Sequence, residues 1–240
     1  QRRIATILDK AQALVANDRR TLALYDQLAK SLFLEMFGDP VRNERGWSYK
    51  DLSTFTSRIV VGHVGPTSFG YATTGIPYLR TMNVRVNQVD TTDVKYITED
   101  FHRKLKKSVI HTDDVLISRV GVNRGMAAPC PLELDCANCG NIIVVGQTPK
   151  LDSVFLSHYL NLTFGQGASF GYSVGSAQGV VNTANVKKWP IIDVPVHKQE
   201  RFAKAAKGIL RLRSQVEDSL RRSEGLFGSL LQGAFGGEFN

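Results

Sequence analysis

Hydrophobic residues recur at helical spacing at both ends of the chain. In the first 39 residues, apolar side chains follow one another at alternating intervals of three and four, and only Asp18 interrupts the series. The same frame returns after residue 199. This period gives a helix one apolar stripe, and over several heptads it is typical of a coiled-coil seam. The stripe comprises Ile4, Leu8, Ala11, Val15, Leu22, Tyr25, Ala29, Leu32 and Met36, and then Phe202, Ile209, Val216, Leu220, Phe227 and Leu230.

The two ends are copies of one sequence element. Gln199–Glu238 aligns with the start of the chain without a gap, at a constant offset of 198 residues. Each copy runs into glycine, at Gly38 and at Gly236–Gly237, as helix C-termini often do. A repeat over such a distance indicates one structural element used twice, with a separate module between the copies. We predict two long helices that pair antiparallel; the alternative is two amphipathic helices that pack only on the module.

Short apolar runs between turn residues predict strands in the central module, and capped amphipathic segments predict helices. The predicted fold class is therefore α+β: a globular mixed α/β domain flanked by two long helices. The predicted domains are residues 1–39, 40–198 and 199–240. The predicted strands are Ile59–Val61, Ile76–Arg80, Lys95–Ile97, Val115–Ile117, Asn141–Val145 and Pro190–Pro195, and the shorter helices start near Thr98, Asp152 and Asn182.

The charge of the chain favours a polyanionic partner. The formal net charge is +8, and residues 40–198 carry seventeen basic and twelve acidic residues. Such a surplus attracts nucleic acid independently of its sequence, although a merely soluble basic protein has the same composition. No apolar run approaches the length of a membrane span, and no signal sequence is visible, so we expect no membrane partner and a cytoplasmic protein.

The loops that follow two predicted strands carry the residue types that read DNA bases. Arginine recognises guanine, asparagine recognises adenine, and hydroxyl groups contact either. The candidate base readers are Arg80, Asn83, Ser118, Arg119, Asn123 and Arg124, with Thr67 and Ser68 from an earlier loop and, as weaker candidates, Tyr172 and Gln178. The last two lie in a glycine-rich stretch, residues 165–179, which reads as a DNA-facing loop or as a long connection.

Other basic residues are candidates for phosphate contact. Lys187 and Lys188 lie on a short predicted helical turn, Asn182–Trp189, and we expect them to position DNA without specifying its sequence. A second basic cluster has two interpretations, a solvated helix face or a further phosphate contact. It consists of Arg103, Lys104, Lys106 and Lys107.

Signs of catalysis or metal binding are weak. The chain has no HExxH or Walker A motif, and its one suggestive carboxylate pair, Asp113-Asp114, also suits a turn before a strand. Cys136 and Cys139 form a CxxC motif, but zinc would need further ligands, and the spacing does not distinguish His102, His111 and His158. We predict no catalytic residue and no metal ligand, with buried or inert thiols as the simpler interpretation.

Several motifs occur together in the order found in one known family. They are Ser31–Pro40, Gly75–Arg80 with Asn83, Asp113–Gly121, Gly175–Gly179, Pro195–Gln199 and Ser229–Phe239. With these motifs, which span nearly the whole chain, the sequence resembles the specificity (S) subunit of type I restriction-modification systems. The resemblance implies an α/β target-recognition domain and long conserved helices that pair as an antiparallel coiled coil. The family's usual subunit has two recognition domains, whereas this chain has one, at about residues 40–198.

The resemblance also implies a function and partners. The central domain would read one half of a bipartite DNA site, and the helices would dock the methyltransferase subunits and, through the complex, the restriction subunit. The chain would have no cofactor of its own, because S-adenosylmethionine and ATP would belong to those partners. It would be either a half-length subunit that forms a homodimer through its helices or a fragment of a longer chain. Two rival hypotheses are a coiled-coil scaffold whose central domain binds protein, and an independent enzyme using Asp113-Asp114 and the CxxC motif.

Overall fold

The chain folds into two compact units, one a pair of long helices and the other of mixed helix and sheet content. The structure is a computed structural model that describes residues 2–164 and 180–236. One unit is built from the described parts of residues 1–35 and 204–240, and the other is residues 36–203 with the same gap. The predicted α+β fold class, with a long helix at each end, is confirmed. The domain boundaries at residues 39 and 198 stay an interpretation of the sequence.

The first unit is an antiparallel pair of long helices. Helix α1 is Arg2–Phe37 and helix α5 is Val196–Gly236. Arg19 on α1 forms an ion pair with Glu224 at 2.8 Å, and Asp26 forms one with Arg213 at 2.8 Å. The residue number of the partner on α5 therefore falls as the residue number on α1 rises. This order confirms the predicted antiparallel pairing. Gly38 follows α1 with φ +78°, the left-handed conformation that glycine supplies at helix ends.

The polar interruption of the apolar stripe has partners on the opposite helix. The Asp18 carboxylate accepts hydrogen bonds from the hydroxyl groups of Ser219, at 3.0 Å, and Ser223, at 3.4 Å. A single polar layer of this kind lowers the stability of a helix pair but fixes its register. Asp18 therefore interrupts the apolar series without leaving the seam.

Some leucines of the helix pair lie outside its seam. Leu14 and Leu28 on α1 are 53% and 51% exposed, and Leu212 and Leu226 on α5 are 48% and 52% exposed. These are the repeat-equivalent positions, 198 residues apart. The repeat thus gives both helices the same exposed apolar positions as well as the same seam.

Within its described residues, the second unit contains three sheets and three short α-helices. One sheet has the antiparallel order β2-β9-β6-β7, another has the order β3-β5-β4-β8 with β4 and β8 parallel, and β1 pairs with β10. The strands are β1 Tyr49–Asp51, β2 Ile59–Val61, β3 Tyr71–Ala72, β4 Ile76–Leu79, β5 Lys95–Ile97, β6 Val115–Ser118, β7 Ala127–Pro129, β8 Asn138–Cys139, β9 Ile142–Val145 and β10 Pro190–Ile192; the helices are α2 Glu99–Lys104, α3 Ser153–Thr163 and α4 Thr183–Lys187.

The continuous apolar runs form the centre of this unit. Every residue of β6 and β9 is buried, because the two strands are neighbours in the middle of their sheet. Leu116 and Val144, paired across these strands, are both fully buried in the main apolar cluster. Helix α3 packs against β7. Its N-cap is Asp152, whose carboxylate accepts hydrogen bonds from the backbone N–H groups of Val154 and Phe155. The loops after β4 and β6 therefore extend from strands that belong to the buried core.

The two carboxylates that precede β6, Asp113 and Asp114, accept hydrogen bonds from neighbouring segments of the chain. Asp114 is 1% exposed and accepts hydrogen bonds from the Arg58 guanidinium and from the backbone N–H groups of His111 and Gln147. Asp113 accepts one from the Ser153 hydroxyl at 3.1 Å. The two carboxylates thus join the start of β6 to neighbouring segments, as the turn interpretation expects.

Candidate nucleic-acid interface

The loop after β4 is organised by Asn83. Its side-chain oxygen accepts a hydrogen bond from the Arg80 backbone N–H at 2.9 Å, and its amide donates to the carbonyl oxygens of Asp90 at 2.9 Å and Asp93 at 3.3 Å. Asn83 is only 2% exposed. Its side chain therefore holds the loop together and has no free group to offer to a base.

Arg80 is the solvent-accessible candidate in that loop. Its guanidinium donates to the Asp93 carboxylate at 2.7 Å and to the Asp93 carbonyl oxygen at 2.8 Å. The hydrogen bond from Arg80 is the main cause that lowers the pKa of the Asp93 carboxyl group. The Arg80 side chain keeps 27% exposure. Two contacts to one residue orient the guanidinium before any ligand arrives, which reduces the entropic cost of a bidentate contact.

Asn123 joins the loop after β6 to the loop after β4. It is 3% exposed, and its amide donates towards the carbonyl oxygens of Thr81, Met82 and Val84 at 3.4, 3.2 and 3.0 Å. The structure therefore brings together two predicted reading loops that lie about forty residues apart in sequence. Asn123 itself is engaged with protein, and its position between the loops makes it a positioning residue.

The other candidates of the β6 loop divide by exposure. Ser118 is fully buried, and its hydroxyl donates to the Val120 carbonyl oxygen at 3.3 Å. Arg119 and Arg124 are half-buried, and the Arg119 guanidinium donates to Asn141 at 3.4 Å. The two arginines therefore remain able to reach a ligand, whereas Ser118 supports the loop from inside.

Sequence reasoning missed several residues of this surface. Arg85 contacts both Asp90 and Asn123 at 3.4 Å, so it adds a fourth arginine beside the joined loops. Val122 is 82% exposed at the tip of the β6 loop, and Met82 is exposed in the other loop. Apolar side chains at such tips are suited to a thymine methyl group. An exposed valine gives no signal in a sequence, because its exposure depends on the fold.

Thr67 and Ser68 lie in a loop that adjoins helix α2. The Thr67 hydroxyl donates to the Tyr71 hydroxyl at 3.0 Å, and Ser68 is exposed. Phe69, which follows them, is 72% exposed and packs edge-to-face on Phe101 of α2, with the ring centroids 5.0 Å apart. The loop and the helix therefore form one continuous surface.

A basic groove lies on the same surface. A cavity of about 520 Å³ is lined by Val61–His63 and by residues 103–108, which include Arg103, Lys104, Lys106 and Lys107. Arg103 is paired with Asp100. In the part of the chain that the structure describes, no carboxylate forms an ion pair with any of the three lysines. Unpaired lysines around a groove are suited to a phosphate, which favours the phosphate interpretation of this cluster.

Of the remaining DNA-binding candidates, two lie at the end of helix α4 and two lie outside the described residues. Lys187 and Lys188 are exposed at the end of α4, whose N-cap is the Asn182 side chain and which packs on β2. Tyr172 and Gln178 fall outside the described residues.

The two cysteines of the CxxC motif differ in exposure. Cys139 is completely buried, donates to the Ser108 carbonyl oxygen at 3.4 Å, and has a thiol pKa raised to about 12 by burial. Cys130 is also buried, as expected of an inert thiol. Cys136, in contrast, is exposed, and its hydrogen bond to the Asp135 carboxylate raises the pKa of its thiol.

The three histidines considered as zinc ligands separate in the fold. His158 is buried, its Nδ1 lies 2.8 Å from the Val154 carbonyl oxygen, and burial lowers its pKa to about 4. His102 contacts the Asn138 side chain at 3.0 Å. His111 alone of the three lies beside an exposed cysteine, together with Asp135.

Comparison with solved structures supports the resemblance at the level of fold. No protein-family model and no curated protein sequence matches the chain. A structure described for complex assembly and conformational transition of the type I R-M system matches 97% of this chain at 17% identity and a TM-score of 0.54. The HsdS subunit from Thermoanaerobacter tengcongensis matches 97% at 15% identity and a TM-score of 0.54. The type I restriction-modification S subunit from M. genitalium matches 95% at 12% identity and a TM-score of 0.60.

These similarities confirm the fold that the sequence resemblance implied. The chain has the fold of S subunits over nearly its whole length, including both long helices. It spans 56–59% of the length of those three chains. None of the helices within the described residues combines the length and the apolar character that crossing a membrane requires.

Proposed function

We propose that this chain is the sequence-specific DNA-binding subunit of a type I restriction-modification complex and that it reads one half of a bipartite site. The observation that carries the proposal is the junction of two arginine-bearing loops through Asn123, on a unit with the fold of S subunits. Arg80, Arg119 and Arg124 are partly exposed on these loops. Arginine forms the commonest specific contact with guanine in the major groove.

In this proposal the candidate residues have three roles. Arg80, Arg119 and Arg124 contact base edges, with Thr67 and Ser68 beside them. Asn83, Ser118 and Asn123 hold the loops, because they are buried and bonded to protein. Lys187, Lys188 and the lysines of the basic groove contact phosphates, where they contribute affinity but not sequence preference.

The helix pair supplies the docking surface for the partners. Leu14, Leu28, Leu212 and Leu226 are exposed at repeat-equivalent positions, and exposed apolar positions of this kind favour a protein partner. We assign this surface to the methyltransferase subunit, or to a second copy of the chain if it acts as a half-length subunit. Residues 1–39 and 199–240 would then be spacers around the recognition domain at residues 40–198.

Catalysis would belong to the partner subunits. In the proposed complex, methyl transfer and DNA cleavage, with S-adenosylmethionine and ATP, are carried out by the methyltransferase and restriction subunits in the cytoplasm. The setting of Asp113 and Asp114 supports this division, since both carboxylates are used in hydrogen bonds that join segments of the fold.

Selection from a random DNA library tests the proposal. The chain is mixed with its methyltransferase subunit and random duplexes, and the bound fraction is sequenced. We expect enrichment of one short DNA sequence, or of two short sequences at a fixed spacing. Two copies of one sequence in inverted orientation would indicate a symmetric dimer. Retention of DNA without any enriched sequence would contradict sequence recognition and favour the rival scaffold that binds protein.

A further inference from the structure

Three potential metal ligands meet on the surface of the second unit. They are His111, Asp135 and Cys136, whose ligand atoms all lie within 4.8 Å of one another. His111 Nδ1 is 3.5 Å from Asp135 Oδ1, and Cys136 Sγ is 3.5 Å from Asp135 Oδ2. All three side chains are solvent-accessible, so an ion has a path of entry.

The backbone fixes the three residues next to one another. The Cys136 N–H donates to the Ile110 carbonyl oxygen at 2.9 Å, and the Ile110 N–H donates to the Ala137 carbonyl oxygen at 2.9 Å. The Thr112 N–H donates to the Asp135 carboxylate at 2.9 Å and so orients it. Two segments more than twenty residues apart are thus tied together on both sides of the cluster, which is the kind of support that metal ligands need.

The observed distances fit a tetrahedral ion. Zinc bonds to nitrogen, oxygen and sulfur are about 2.0–2.3 Å long, which gives separations of roughly 3.3–3.8 Å between ligand atoms. The two separations of 3.5 Å, one from each oxygen of the Asp135 carboxylate, both fall in that range. The ligand atoms of His111 and Cys136 lie within 4.8 Å of each other.

The types of ligand select the class of ion. Thiolate and imidazole suit borderline divalent ions such as Zn²⁺ and Co²⁺, whereas Mg²⁺ prefers oxygen ligands. We propose that His111, Asp135 and Cys136 form a site for a borderline divalent cation, with one coordination position left for water. Binding forms an Sγ–metal bond and breaks the Cys136 S–H bond, and the proton is released to solvent. The ion links residues 110–112 to residues 135–137.

This site differs from the one that the CxxC motif suggests. Cys139 is completely buried and faces the core, so only Cys136 of the motif is available. The second and third ligands come from His111 and from Asp135, next to Cys136. The proposal does not depend on DNA binding, because it uses none of the residues assigned to that function.

The test is a Co²⁺ titration of the purified, reduced full chain, followed by the thiolate-to-cobalt absorption band and repeated with Zn²⁺ as competitor. We expect one ion per chain and displacement by Zn²⁺ but not by Mg²⁺. Cys136→Ser should abolish the band, and His111→Ala and Asp135→Asn should weaken binding on the order of tenfold or more. Circular dichroism of each variant reports whether it is folded.

A matched control uses another exposed histidine. His197→Ala removes an exposed imidazole near the start of α5 and should leave the titration unchanged. Absence of the band in the wild-type chain would overturn the proposal. So would a band that persists in His111→Ala and Asp135→Asn at full affinity, since that result would assign binding to a single thiol.

Discussion

The side-chain amide of Asn123 donates a hydrogen bond to the backbone carbonyl oxygen of Val84, 3.0 Å away, and this contact joins the two loops on which the proposed base readers lie. Because Asn123 is buried, its loss removes the side-chain donor from the carbonyl oxygens of Met82 and Val84. Removing one partner of a buried polar contact typically costs about 1–3 kcal/mol.

We therefore expect Asn123→Ala to lower the free energy of unfolding by about 1–3 kcal/mol in urea denaturation. The variant should also discriminate less between cognate and mismatched duplexes, because Arg119 and Arg124 lose their fixed position relative to Arg80. The matched control is Val122→Ala, which changes a neighbouring residue that is 82% exposed and should alter stability by less than about 0.5 kcal/mol. Equal stability of the two variants would show that the loops are held by something else.

Base and phosphate contacts can be separated at Arg119 and Lys187. Arg119→Ala should cost about 1–3 kcal/mol on the cognate duplex and little on random duplex, whereas Lys187→Ala should weaken both alike and reduce the salt slope by about one. Fluorescence anisotropy at several salt concentrations measures both quantities. If Arg119→Ala weakened cognate and random duplexes equally, its assignment as a base reader would be wrong.

The basic groove predicts a purely electrostatic effect. Replacing Lys106 and Lys107 together by alanine should reduce the slope of log K against log salt concentration by about two, without changing sequence preference. The control Lys204→Ala/Lys207→Ala removes the same charge from exposed positions on α5. If both double variants lowered the slope equally, only net charge would matter and the groove would have no special role.

Burial of His158 predicts an acid-sensitive fold. Its pKa is lowered to about 4 in the folded chain, while an exposed histidine has a pKa near 6.5. Between these values the unfolded chain binds a proton that the folded chain does not bind. Stability should therefore fall as the pH drops from about 6.5 towards 4, by up to about 1.4 kcal/mol per pH unit from this residue.

The test compares the free energy of unfolding at several pH values for the wild type and His158→Asn, whose amide can still donate to the Val154 carbonyl oxygen. As the pH falls, the free energy of unfolding should decline more steeply for the wild type than for His158→Asn. The difference in slope should correspond to about one proton taken up on unfolding. His197→Ala, which removes an exposed histidine, should keep the wild-type slope. Equal slopes for the wild type and His158→Asn would mean that another group governs the acid response.

Periodic and continuous patterns predicted the fold well. The stripe from Leu8 to Leu32 predicted α1 because a long helix repeats the same signal many times, and the apolar runs of β6 and β9 predicted buried strands. The strands β1, β3, β7 and β8 were missed, because runs of two or three residues carry little periodicity. The pairing of β1, β3 and β8 depends on partners that are distant in sequence.

The candidate site was predicted less completely, because a sequence gives the type of a side chain but not its direction. Asn83 and Asn123 have the chemistry of adenine readers, yet both turn inward and bond to backbone carbonyl oxygens. The sequence also does not show which residues are close in space. His111 and Cys136 are far apart in sequence and meet because the Ile110 backbone is hydrogen-bonded to Cys136 and Ala137. The spacing of the CxxC motif pointed to Cys139, which is buried.

The most direct test of the central claim is the ratio of the affinities for a selected duplex and a random duplex of equal length, measured for the chain with its methyltransferase subunit at physiological salt. Sequence-specific DNA-binding proteins prefer their site by about a thousandfold or more. We predict a ratio of at least that order for the wild type and a smaller one for Arg119→Ala. A ratio near one, with binding that still weakens as salt rises, would contradict the account and leave a basic scaffold without sequence recognition.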